Sequence, residues 1–190
     1  MIVNLYTDGG AFNQGNGTFT SVASLVLVLD DNKIMDKTFV LKNKTNNYAE
    51  MYAIYYGLKI ICEKIDVDKS DFTEVNIFSD SELCVNTLNK WFFDWLKGSN
   101  TENMIKPDKK PVMNQELIKM AIIYKIGLGR ICPVNLYHIR SHEQLKNVQS
   151  MYKKFIKKNE CNISIDEFMR AHYYNDMCDK LVKYAYENSK

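Results

Sequence analysis

Three apolar, strand-like segments follow one another at the start of the chain: IVNLYT, SVASLVLVLD and KIMDKTFVLK. The turn DDNK, residues 30–33, joins the second to the third and reads as a hairpin, and Gly15 and Gly17 put a loop or a second hairpin between the first two. The pattern then changes to alternation. A helix spans about residues 46–64, followed by the polar linker DVDKSDFTE and the short strand VNIFS. A helical stretch over about 81–97, a Pro- and Lys-containing loop, the helix QELIKMAIIYKIG and the strand VNLYHI come next, before a polar, helical C-terminal third. Hairpins first and alternation afterwards restrict the chain to an α/β fold, a mixed sheet with helices on its faces. The 190 residues fit one domain with room for an elaboration.

Composition excludes several classes. The formal net charge is only +2, so a nucleic-acid site must come from local clustering of cations. The five cysteines are odd in number and contain no C-x-x-C pair, which argues against a disulfide framework or zinc module and suits a reducing, cytoplasmic setting. No basic leader precedes a long apolar run, and the stretch around residues 22–29 is too short to span a membrane. A soluble monomer with no membrane partner is expected.

Carboxylates carry the chemistry. Asp8 follows the first apolar strand and precedes Gly9 and Gly10, a combination that a turn explains on its own. Asp80 repeats the arrangement after VNIFS, where it or Ser81 can cap the next helix. Glu50 shares a helical face with Ala53, Ile54, Gly57 and Ile61, so it heads a stripe meant for the sheet unless it sits at an edge. Asp179 opens what reads as a final helix, where a helix dipole favours an acid, and Asp176 shares that explanation. Carboxylates gathered at one end of a sheet repel one another unless cations neutralise them. Oxygen ligands with few histidines favour Mg²⁺ or Mn²⁺ over zinc, and two such ions can clamp a scissile phosphate.

These motifs together resemble the type 1 ribonucleases H. YTDGG is similar to that family's first-strand motif, TNNYAEMYAIYYGL to its T-N-N-x-x-E-x-x-A helix, and FSDSELCV to its fourth-strand D-S motif. RSH and, later, NDMCDKLVKYA resemble its closing pair of motifs, and KWFFDWLKG…KPDKKPVMNQEL (about residues 91–114) resembles the handle of the bacterial enzymes. The resemblance implies a five-stranded ribonuclease H-like sheet, three antiparallel strands and then parallel ones, with helices on both faces. It implies endonucleolytic hydrolysis of the RNA strand of RNA–DNA hybrids by two Mg²⁺ ions, with Mn²⁺ as a substitute, leaving 5′-phosphate and 3′-hydroxyl ends. Asp8, Glu50, Asp80 and Asp179 become the metal ligands and His142 the histidine assisting proton transfer or product release. Asn46 becomes a contact near the ribose 2′-hydroxyl, and Trp91, Trp95, Lys109 and Lys110 the path of the DNA strand. A superfamily nuclease or recombinase acting on DNA, and a non-catalytic hybrid-binding domain, are the alternatives.

The chain departs from the family in three places. Glu82 stands where Gln is usual, the handle mixes lysines with acids, and 32 residues separate His142 from Asn175 where a short loop is usual. In that insertion, about residues 143–173, Leu145, Val148, Tyr152, Phe155 and Ile156 share one helical face, and SIDE at 164–167 reads as the capping box of a second short helix. Residues 143–158 hold five lysines against Glu143, giving +4 locally, either a solvated face or a phosphate-binding one. The insertion also makes His172, seven residues before Asp179, a competitor for the role of His142, while His138 alternates within a strand and reads as structural.

Overall fold

The computed structural model describes residues 1–15, 17–64, 72–97, 103–140 and 146–189. β1 (Ile2–Asn13) continues well beyond its apolar run, because its second half pairs antiparallel with β2 (Phe19–Leu29) as far as Asn13↔Phe19. The expected turn at Gly9–Gly10 is therefore absent, and both glycines are strand residues. β3 (Asn32–Lys42) pairs antiparallel with β2 through a two-residue connection, Asp30 and Asp31, both at positive φ. That is the geometry of the primed turns that match strand twist.

Beyond α1 (Asn46–Lys64), β4 (Glu74–Ser79) pairs parallel with β1 and, on its other side, with β5 (Val134–His138), giving the order β3-β2-β1-β4-β5. Register is pinned by a polar ladder: Asn76 donates to Asn4 Oδ1 at 3.2 Å and Asn135 donates to Asn76 Oδ1 at 3.1 Å. Asn4 and Asn76 are buried, so a one-residue slip would strand their amides without partners.

The stretch read as one helix over 81–97 is three pieces: α2 (Glu82–Asn86), a π-helical turn (Thr87–Trp91) and α3 (Phe92–Lys97). The wide turn is held from α4 (Gln115–Gly129), whose Lys125 ammonium donates to Leu88 O at 2.9 Å and Asn89 Oδ1 at 3.0 Å. Burial lowers the pKa of Lys125 to about 8.

The C-terminal third is α5 (Val148–Asn159) and α6 (Ile165–Glu187). The expected short insertion helix and the final helix are a single element. No Gly or Pro interrupts residues 165–187, and Phe168, Ala171, Asn175, Cys178 and Val182 form an unbroken buried stripe at alternating spacings of three and four. Ser164 caps α6 by accepting from Glu167 N at 3.1 Å. Glu167 turns to Tyr6 and Arg170 instead, tying α6 to β1.

Alternation along the strands gives the sheet two packed faces. Val3, Leu5, Leu25, Leu27, Val75 and Ile77 pack against α1 and α4, and Tyr6, Val26, Val28, Phe78 and Tyr137 pack against α5 and α6. No helix among the described residues is long and apolar enough to cross a membrane.

Candidate active site

Asp8 lies on β1 one residue past the last β1–β4 pair, Thr7↔Ser79, and Asp80 immediately follows Ser79. Parallel pairing thus delivers both acids to the same end of the sheet, as expected of sites at strand carboxyl ends. Ser81 performs the capping at the start of α2, its hydroxyl accepting from Cys84 N at 3.4 Å, so that duty does not fall to Asp80.

Glu50 reaches the same place from the first turns of α1. It is buried, as are Ala53, Ile54 and Ile61 on the same stripe, so the edge position open to it in the sequence is not the one it occupies. Its entry depends on Gly9: a Cβ there would lie 2.4 Å from Glu50 N and 2.7 Å from Ala49 C. Gly57 has the same effect farther along α1, where a Cβ would meet Leu5 Cδ2 at 2.4 Å. Two glycines therefore let α1 lie close on β1.

Carboxylate oxygens of Asp8, Glu50 and Asp80 all lie within 4.8 Å of one another. Burial, and then the charge of Asp80, push the Asp8 carboxyl up to about 7, with Asp179 adding to the rise. Gly9 N–H opposes it by donating to Asp8 Oδ1 at 2.7 Å. Glu50 is raised well above its ordinary value by burial first and by Asp80 and Asp8 next. Its Oε1 accepts from Asn46 Nδ2 at 3.3 Å, and its buried Oε2 has no hydrogen-bond partner among the described residues. Such a donor set, largely buried, oxygen-only and mutually repelling, fits a hard divalent cation.

Asp179 is in the interior of α6, not at a helix start, so a helix dipole gives no reason for it. It stands near enough to Asp8 to raise its pKa, while bonded to Lys183 at 2.6 Å one turn on. That i,i+4 partner is visible in the sequence as an acid four residues before a lysine on a helix. His142 lies outside the described residues. His172 lies two turns before Asp179 within α6, its ring edge-on to Phe168 at 4.6 Å, so it belongs to a packed helix and not to a loop.

Asn46, expected as a substrate contact, is exposed at the start of α1 and bonded to Glu50, a positioning role that sequence reading did not assign. Trp91 and Trp95 sit 5.9 Å apart between ring centroids and line a cavity of about 1050 Å³ with Lys90, Lys106, Lys109 and Asn47. Lys110 is not among its lining residues; it pairs with Asp108 at 3.2 Å at the surface. Glu82 is exposed and pairs with Lys158 of α5 at 2.9 Å, which holds its carboxyl below the usual range.

This sheet order, with acids meeting at one end of the parallel pair, defines an α/β protein with a carboxylate cluster of a kind that can hold a cation. A family profile for RNase H matches residues 1–150, and the chain belongs to that family. The Ribonuclease H of Caldanaerobacter subterraneus subsp. tengcongensis is 35% identical over 120 residues, 62% of this chain and 67% of that protein. The Ribonuclease H of Campylobacter curvus is 32% identical over 116 residues, 60% of this chain and 66% of that protein. The matched stretch of the chain thus spans about two thirds of these curated relatives. Among solved structures, LC11-RNase H1 in complex with RNA/DNA hybrid superposes with a TM-score of 0.53 at 19% identity, covering 84% of this chain and 99% of that one. LC9-RNase H1, a type 1 RNase H with the type 2 active-site motif, gives 0.58 at 16% identity, covering 93% and 84%. The profile match ends before α6, and Asp179 lies outside the three-acid group, linked to it by the effect of its charge on Asp8.

Proposed function

We propose that this chain is an endonuclease that hydrolyses the RNA strand of RNA–DNA hybrids, leaving 5′-phosphate and 3′-hydroxyl ends. It does so as a monomer, with two Mg²⁺ ions that Mn²⁺ can replace. The observation that carries this reading is the convergence of Asp8, Glu50 and Asp80 within 4.8 Å beside Asp179. These four carboxylates would hold the ions, whose chemistry when bound is to stabilise charge on a scissile phosphate and to lower the pKa of water.

The chain's own residues do the positioning. Asn46 fixes Glu50 Oε1, and Gly9 N–H fixes Asp8 Oδ1, so both acids are oriented before any ligand arrives. Lys183 supplies a movable counter-charge to Asp179. The tryptophan-lined cavity offers ring faces and ammonium groups to one strand of the duplex, the combination that holds single strands elsewhere. All five cysteines are unpaired, which supports a reducing, cytoplasmic setting.

The test is cleavage by the purified chain, with Mg²⁺, of a hybrid, an all-RNA and an all-DNA duplex of one sequence. Cutting confined to the RNA of the hybrid is expected. Equal cutting of the DNA duplex overturns the substrate, and no cutting overturns the activity.

Stability supplies a second expectation. Asp8 titrates near 7 in the folded chain and near 3.8 when free, so the folded state keeps its proton longer than the unfolded state. Stability therefore falls as pH rises through that window, and Glu50 adds to the fall. Metal-free protein should lose of order 2 kcal/mol between pH 5 and 8 through Asp8 alone. Mg²⁺ should restore the melting temperature at pH 8 and do little at pH 5. Equal shifts at both pH values would contradict the ligand set.

A further inference from the structure

We propose that the outward face of α5 is a phosphate-binding surface for the backbone of the hybrid, docked beside the carboxylate cluster. The proposal rests on the hybrid reading above and names a surface that reading does not use. Charge is unevenly distributed along the chain. The chain as a whole is +2, yet residues 146–159 hold five lysines and no acid.

Folding divides the four of those lysines that lie on α5 by role. With 3.6 residues per turn, Val148, Met151, Tyr152, Phe155 and Ile156 form the face that packs under α6 and β5. Lys153, Lys154 and Lys157 project from the opposite face and are exposed. None of the three makes an ion pair among the described residues. Lys158 lies on the flank, and its 2.9 Å bridge to Glu82 takes it out of the free set. The sequence alone counts Lys158 with the others; the structure makes it a tether.

Two attachments fix where the C-terminal half of α5 lies. Asn159 completes the edge of the sheet: its Oδ1 accepts from His138 N at 2.7 Å and its Nδ2 donates to His138 O at 3.0 Å. His138 pairs with Ser79, the residue before Asp80. Glu82, which receives Lys158, begins α2 just after Asp80. The C-terminal end of α5, with Lys154 and Lys157, is therefore anchored at the strand ends that present Asp80. A duplex seated on the carboxylates extends past them in both directions, and its phosphates complement three ammonium groups held on a rigid helix. The Glu82 charge, which would repel the same phosphates, is neutralised by Lys158.

The experiment is hybrid binding without metal as a function of salt. It compares the wild type with the Lys153→Gln/Lys154→Gln/Lys157→Gln triple, the corresponding triple to arginine, and Lys154→Gln alone. Each phosphate contact contributes about 0.9 to the slope of log K against log salt. The triple to glutamine should lower that slope by about 2–3, the single change by about 1, and the triple to arginine by nothing. Melting temperatures should stay at the wild-type value, since the side chains are exposed. A glutamine triple that keeps the wild-type slope overturns the proposal while leaving hybrid cleavage intact. A wild type that neither binds nor cuts hybrid overturns the functional reading instead.

Discussion

Asp8→Asn should lower hybrid cleavage by about 10³-fold or more, equivalent to ~4 kcal/mol of barrier, and should make the metal-free protein more stable at pH 8. The two effects have one cause. Asp8 stands among carboxylates whose burial and mutual repulsion raise it to about 7, so at pH 8 its charge opposes folding. An amide of the same shape keeps the contact with Gly9 possible and removes the repulsion. It also removes an anionic ligand from the centre of the set. A residue kept for packing would show the opposite pattern, lost stability with activity following it. The measurement is turnover with Mg²⁺ alongside thermal melting in chelator at pH 5 and pH 8. The gain should be confined to the higher pH, where the native carboxyl is ionised. Equal activity in wild type and variant would overturn the role of Asp8, and a destabilised variant would overturn the repulsion.

That Asp8, Glu50 and Asp80 are acids to watch is legible in the sequence, and the structure brings these three together; their surroundings are not legible. Three strand-like runs followed by alternation lead to a five-stranded mixed sheet, because period-2 and period-3.6 patterns are local properties that burial on one sheet enforces. Glu50 can be suspected from its stripe, since a carboxylate on an apolar helical face is costly anywhere. Asp8 and its glycines mislead at the local level: Asp-Gly-Gly is turn chemistry, but pairing with β2 through Asn13 overrides that preference. Asp179 misleads in the other direction, because its surroundings suit a helix start where a 23-residue helix is already well past its middle. The stripe from Phe168 to Val182 contains the correction, as its spacing never breaks. What no pattern discloses is long-range partnership. Lys158 with Glu82, Asn159 with His138, and Lys125 with the π-helical turn each join segments that sequence keeps 21 to 76 residues apart.

Gly9→Ala puts the geometry of the site itself to the test. The added methyl carbon would stand 2.4 Å from Glu50 N, 2.7 Å from Ala49 C and 2.9 Å from Glu50 Cα, and all three atoms are backbone. No rotamer change relieves such a clash; α1 must move away from β1. Overpacking of this kind costs about 3 kcal/mol or more, which for a chain of this size lowers the melting temperature by roughly 6–12 °C. The residue displaced is Glu50, so cleavage should fall well beyond what unfolding accounts for at the assay temperature. Gly10→Ala is the matched control. Its methyl would meet Val182 Cγ1 at 2.8 Å and the Phe12 ring, side chains that can shift, so the loss should be nearer 1 kcal/mol. Combining it with Val182→Ala should relieve the crowding, whereas no single side-chain truncation should rescue Gly9→Ala. Thermal melts and cleavage rates of the two variants decide it. If Gly9→Ala melts and cuts like the wild type, α1 does not lie on β1 as closely as its two glycines allow, and Glu50 is not held in place by that contact.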